Sequence, residues 1–231
     1  MSAPALVCCS HGTNSPDGRA AITALVRAAG DRLGVPALET YVDVQQPQVD
    51  EVIASVAGEA VIVPLLLSPG YHTAVDVARA AASRPGVVAT GTLGPHPRLA
   101  ELLAERVRLA GLRAGDHVVL AASGSSRPEA ARRVEEVRAA LAGLVGAPVT
   151  AGYAYGATPK VADAVRAARA AGAARVVVAS YVLAPGHFAD LIAGAGADVA
   201  TEPLALPGET DERLVDIVAE RYLEGVARLD R

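Results

Sequence analysis

Val7-Cys8-Cys9-Ser10-His11-Gly12-Thr13 is an apolar run that ends in a polar turn, and Leu65-Leu66-Leu67-Ser68-Pro69-Gly70-Tyr71-His72 ends the same way. Each reads as a buried parallel strand handing over to a loop or helix, the point at which open α/β sheets place their chemistry. Outward from these stretches the chain repeats itself. Cys9-Ser10-His11-Gly12-Thr13-Asn14-Ser15-Pro16 overlays Ala121-Ala122-Ser123-Gly124-Ser125-Ser126-Arg127-Pro128 at an offset of 112. Tyr41-Val42-Asp43 through Pro47 overlays Tyr153-Ala154-Tyr155 through Pro159 at the same offset, and Leu67 to His72 overlays Leu183 to Phe188 at 116. Gly12, Pro16, Pro47, Pro69 and Gly70 recur in the second copy, as turns and helix starts require. His11, Asp43 and His72 become Ser123, Tyr155 and Phe188. The fold therefore does not need the polar triplet.

Apolar runs alternate with Ala-rich helical stretches through both copies. The first copy predicts strands near residues 5–10, 37–42, 60–67 and 87–90, with helices near 17–33, 47–56, 73–82 and 98–109. The second predicts strands near 117–122, 149–153, 175–182 and 198–201, with helices near 128–144, 159–171, 188–193 and 211–226. Unbroken Val/Ile/Leu strands are covered on both faces, so the sheets are parallel. The expected class is α/β, two tandem flavodoxin-like domains over residues 1–112 and 113–231, each a four-stranded parallel sheet in the order 2-1-3-4 with flanking helices.

Composition narrows the function. A length of 231 residues at 52% hydrophobic content supports two modest cores. A net charge of −4, with no basic tract, no Trp and one Phe, offers nucleic acid neither an electrostatic footprint nor a stacking surface. No apolar run reaches the length of a membrane span, and residues 1–9 lack the basic flank of a signal peptide, so a cytoplasmic protein is expected. Cys8 and Cys9, adjacent on one strand, point to opposite faces and read as packed core thiols.

Strand order 2-1-3-4 brings the C-terminal ends of three neighbouring strands, and with them His11, Asp43 and His72, to one mouth. Two imidazoles and a carboxylate suit a first-row divalent metal. Each residue also has a plainer reading: a helix-capping or phosphate-cradling turn at His11, a residue at a helix start ahead of Pro47 for Asp43, and a surface histidine for His72. No glycine loop carries a Walker lysine, so ATP is not expected.

Ser10-His11-Gly12-Thr13, the Leu65 to His72 segment with Asp76 beyond it, and Leu93-Gly94-Pro95-His96-Pro97 resemble the class II chelatases, specifically the sirohydrochlorin chelatases in their long, duplicated form. The resemblance implies insertion of Fe2+ or Co2+ into sirohydrochlorin, in siroheme or cobalamin synthesis, with the metal as substrate and no organic cofactor. It implies catalytic roles for His11 and His72, which handle metal and pyrrole protons. Asp43 stands where the family carries an acidic residue, often Glu, and completes the metal set. Asn14, Ser15, Tyr71, His96 and Arg127 are the candidate substrate contacts, with Arg84, Arg98, Arg132, Arg133, Ser125 and Ser126 as further partners for the ring's carboxylates. His96, between two prolines at a helix start, also has a structural reading, as does His117; His187 is assigned no catalysis. The lack of a His-rich storage tract favours Fe2+ over Co2+. A duplicated chain can act as a monomer or a homodimer. The alternative from another class is a non-catalytic tetrapyrrole or metal carrier.

Overall fold

A computed structural model describes residues 3–68, 70–208 and 210–229, leaving aside the side chains of residues 71–74. The first copy runs β1 (Ala5–Ser10), α1 (Pro16–Leu33), β2 (Ala37–Tyr41), α2 (Val49–Ser55), β3 (Ala60–Pro64), α3 (Tyr71–Ala82), β4 (Val87–Ala89) and α4 (Pro97–Leu109). The second runs β5 (Asp116–Ala122), α5 (Pro128–Val145), β6 (Val149–Tyr153), α6 (Val161–Ala170), β7 (Arg175–Tyr181), α7 (His187–Ala193), β8 (Val199–Ala200) and α8 (Glu212–Leu229). The strands form two parallel sheets, β2-β1-β3-β4 and β6-β5-β7-β8, the order expected from the sequence. The third strand stops at Pro64, three residues earlier than predicted; Leu65 still donates its N–H to Cys9 O (2.8 Å), and Leu66 O accepts from Leu93 N (2.8 Å).

The alternation of side chains about β1 divides the first core. Val7 and Cys9 face α2 and α3 and pack with Val49, Ile53, Ile62, Val77 and Ala80. The opposite face, carrying Leu6 and Cys8, is covered by α1 and α8. Both thiols are buried and neither forms a disulfide. Burial is the main force raising the Cys9 thiol to about 11; the nearby Asp76 charge adds to it and a hydrogen bond with Thr40 opposes it. Burial drives the Cys8 thiol up further. Both stay protonated at neutral pH and act as small apolar side chains.

The copies of the sequence and the compact units of the structure differ in one element each. One unit is Met1–Leu93 with Pro207–Arg231; the other is Gly94–Leu206. The boundary expected at residue 112 follows the sequence repeat, whereas packing assigns α4 to the second unit and α8 to the first. Helix α4 lies on α5 and β7, and Arg106 fastens it by donating to the carbonyls of Glu202, Pro203 and Leu204. Helix α8 lies on α1, β3 and β4. There Tyr222 Oη donates to Pro4 O (2.7 Å), and Arg32 pairs with Glu212 and Asp216. The first unit is thus a four-stranded sheet whose last covering helix comes from the far end of the chain.

Among the described residues no helix is long and apolar enough to cross a membrane.

Candidate functional site

The site is built at the C-terminal edge of the first sheet, where β1 ends in Ser10 and the chain turns sharply. Gly12 takes a left-handed backbone, φ +93°. A Cβ there would lie 3.1 Å from Val44 Cβ and 3.2 Å from Gln45 N, so the turn after β1 rests directly on the turn after β2. Hydrogen bonds lock the two turns together. Thr13 N donates to Gln45 Oε1 (2.8 Å) and Val42 N to Ser10 O (3.1 Å), while Gln48 Nε2 donates to Asp43 O (3.2 Å) and Gln45 O (2.9 Å). Gln45 and Gln48 did not stand out in the sequence; the polar run Gln45-Gln46-Pro47-Gln48 beside Asp43 is the signal that could have drawn attention to them.

The two fastened turns bring His11 and Asp43 together. His11 Nε2 lies 3.9 Å from Asp43 Oδ2, with side chains 56% and 71% exposed. That separation is an ion-pair distance, too long for a hydrogen bond, and it leaves both groups with lone pairs open to solvent. Such a pair can receive a cation without first breaking an internal bond. Among the described residues the buried hydroxyl of the preceding Ser10 has no hydrogen-bond partner.

The third expected member, His72, falls in the first turn of α3, following β3, which neighbours β1. Its side chain and that of Tyr71 lie outside the described residues, as does Pro69 of the same segment. Among the described residues no three His, Cys, Asp or Glu side chains converge on one point. Asp76, one turn into α3, pairs with Arg79 at 3.0 Å, and Arg79 also comes within 4.0 Å of Asp50.

Several of the remaining candidates have structural work. Ser15 caps α1: its Oγ accepts from Gly18 N (3.2 Å), ahead of Pro16 at the first helical position. Asn14 is exposed beside it. His96 caps α4, its Nδ1 accepting from Arg98 N (3.2 Å), and it belongs to the second unit. Arg127 also belongs to that unit, at the N-cap of α5, with its N–H on Ser125 Oγ (3.2 Å). Arg84 is not at the mouth. Its guanidinium bonds Ile53 O (3.1 Å) and Gly58 O (2.7 Å), at the opposite end of the strands. Arg133 bonds Gly94 O (3.4 Å) and Glu129 (3.2 Å); Arg132 is exposed on the same helix. His117 bonds Thr150 Oγ1 (3.0 Å) across two strands, a structural placement, and burial lowers its pKa.

The second unit repeats the turn without its chemistry. Gly124 has φ +89°, and a Cβ on it would overlap Tyr155 O, so no other residue fits. Tyr155 N donates to Ser123 O (2.8 Å), which sets Ser123 and Tyr155 side by side in place of His11 and Asp43.

The family model described as CbiX matches twice, over residues 5–110 and 117–224. No functionally curated protein matches the sequence. Among solved structures, SirB from Bacillus subtilis with Fe3+ superposes with a TM-score of 0.77 at 16% identity, covering 98% of this chain and 97% of that one. The sirohydrochlorin chelatase SirB from Bacillus subtilis subspecies spizizenii in complex with cobalt gives 0.71 at 15% identity, covering 97% and 96%. CbiX, described as the terminal enzyme for biosynthesis of siroheme in denitrifying bacteria, gives 0.66 at 21% identity, covering 94% and 99%. Two successive matches spanning nearly all of the sequence, on two sheets of identical strand order, show that this chain belongs to the CbiX family in its internally duplicated form.

Proposed function

We propose that the chain is a sirohydrochlorin chelatase, inserting a divalent metal, Fe2+ ahead of Co2+, into the metal-free ring without ATP. The observation that carries this reading is the solvent-open pair His11 and Asp43, 3.9 Å apart on two fastened turns of the first unit. Family membership supports it, as do Fe3+ and cobalt in the related SirB structures.

The chemistry asks three things of the protein: to take a hydrated metal ion, to present it to the ring, and to accept the protons displaced from two pyrrole nitrogens. A neutral imidazole is a ligand for first-row metals and, once released, a base. His11 is assigned both tasks in turn. Asp43 supplies the negative charge that holds a dication beside a neutral imidazole, and later stabilises the imidazolium that forms as the proton arrives. His72, on the first turn of α3, is the proposed second imidazole. Rigid turns suit this work because the ligand pair is held at fixed spacing before the metal arrives, so little ordering is left to the binding step. The reaction is taken to be cytoplasmic, and either siroheme or cobalamin synthesis would use the product.

The test is multiple turnover. A catalytic amount of protein is mixed with excess metal-free sirohydrochlorin and Fe2+ or Co2+, and the absorbance change is followed. Many equivalents of product are expected, with the rate abolished in His11→Ala and in His72→Ala. Product that stops at one equivalent per chain would identify a carrier and overturn the reading.

A further inference from the structure

The second unit has lost the ionisable triplet, and it has gained something in its place. The chain carries one Phe and six Tyr. Tyr41, Tyr153, Tyr181 and Tyr222 are buried. Among the described residues, the aromatic side chains left exposed are Tyr155 (70%) and Phe188 (40%). These two occupy the positions of Asp43 and His72 in the repeat. Tyr155 stands two residues past β6 and Phe188 on the first turn of α7, past β7; the two strands flank β5, so both side chains belong to the C-terminal edge of one sheet. Leu191, 45% exposed, follows on α7. Exposed apolar groups gathered where a parallel sheet presents its ligands mark a binding surface.

A cation completes the set. Lys160 is the single lysine in a chain with 20 arginines. Its Nζ lies 5.6 Å from the centre of the Tyr155 ring, over the face. Its counterpart in the first copy is Gln48, which fastens the loop of Asp43. Aromatic faces stack on flat conjugated systems whatever their substituents, and an ammonium beside them pairs with a carboxylate.

We propose that this edge of the second unit is a metal-free binding site for the tetrapyrrole itself, with Tyr155 and Phe188 offering ring faces, Leu191 an apolar flank and Lys160 a partner for a peripheral carboxylate. The inference rests on the chelatase reading for the identity of the ring. It assigns the second copy a task that explains why aromatic side chains stand at two of the three positions, with Ser123 at the third.

Because lysine occurs once, its side chain is a single-site reporter. The intact protein is treated with a limiting amine-acetylating reagent, with and without saturating metal-free sirohydrochlorin, and Lys160 modification is read by peptide mass spectrometry. Sirohydrochlorin is expected to slow Lys160 modification at least five-fold, in the wild type and equally in His11→Ala. The double variant Tyr155→Ala with Phe188→Ala is expected to lose that protection and to bind the ring at least ten-fold more weakly by absorbance titration. Tyr155→Phe with Phe188→Tyr retains both. Both pairs sit on exposed positions, so folding survives. A wild type that turns over metal and ring while Lys160 reacts at an unchanged rate overturns this inference alone. A wild type that neither binds the ring nor turns over overturns the chelatase reading and this one with it.

Discussion

Gly225 offers a sharp test of the packing that completes the first unit. It is buried in α8, in the second copy of the sequence, yet its partners are in the first. A Cβ built on it would overlap Val61 Cγ1, and would sit 3.0 Å from Val61 Cγ2 and 3.1 Å from Thr90 Cγ2. Val61 cannot yield easily. It is fully buried, its β-branched side chain has little rotamer freedom, and β3 is held between β1 and β4 by ladders on both edges. The overlap with Val61 Cγ1 puts the cost of the added methyl at about 2–3 kcal/mol, the upper end for overpacking, against which alanine returns up to about 1 kcal/mol of helix propensity. Gly225→Ala is therefore expected to destabilise the protein by about 1–2 kcal/mol, read as a lower urea midpoint. Gly143→Ala is the control. Gly143 is exposed in α5 with nothing within 4 Å of its Cβ position, so the same substitution there is expected to stabilise by up to about 1 kcal/mol. A Gly225→Ala protein as stable as wild type would refute the placement of α8 on β3. The same packing predicts that a fragment of residues 1–112 will not fold alone. It lacks the buried Leu214, Val215, Ile217, Val218 and Tyr222 of α8. At roughly 1.5–3 kcal/mol each, these amount to about 10 kcal/mol, comparable with a domain's whole stability.

Three further predictions concern the site and the core. Gly12→Ala forces an L side chain into a left-handed backbone and presses on Val44 and Gln45; a loss of about 1–2 kcal/mol in urea unfolding is expected, together with reduced turnover as the two turns separate. Asp43→Asn changes little in folding, because an exposed pair at 3.9 Å contributes less than about 1 kcal/mol; calorimetric titration with Co2+ should nonetheless show weakened metal binding, and unchanged binding would remove Asp43 from the site. Alkaline pH will destabilise the fold. Burial raises the Cys9 thiol from 9.0 to about 11, so the unfolded chain loses its proton first; the resulting stability is complete below about pH 9 and falls by about 2–3 kcal/mol as pH rises towards 11. Urea midpoints at pH 8 and pH 10.5 measure this, and Cys9→Ala should reduce the slope.

The local pattern of the chain already contained most of the fold. Two copies at offsets of 112 and 116, strands written as unbroken apolar runs and glycines at fixed points led directly to two parallel sheets in the order later observed. Strand periodicity and turn chemistry are short-range properties, so a few neighbouring residues suffice to express them. That His11 and Asp43 fall at one edge of the sheet was also legible, because it follows from strand order, while their 3.9 Å spacing is set by the fastened turns.

What the sequence left open depends on contacts between distant segments. His96 and Ser15 have the residue types of ligand groups, and only the coordinates show their acceptors spent on backbone N–H groups at helix starts. Arg84 is written beside the α3 segment but points to the far end of the sheet. Above all, the repeat implied that each copy closes on itself, whereas α4 and α8 each complete the other unit. Which sheet a helix covers is decided by surface fit, here a bare glycine backbone against Val61, and that complementarity joins residues more than a hundred positions apart, beyond the reach of any local periodicity.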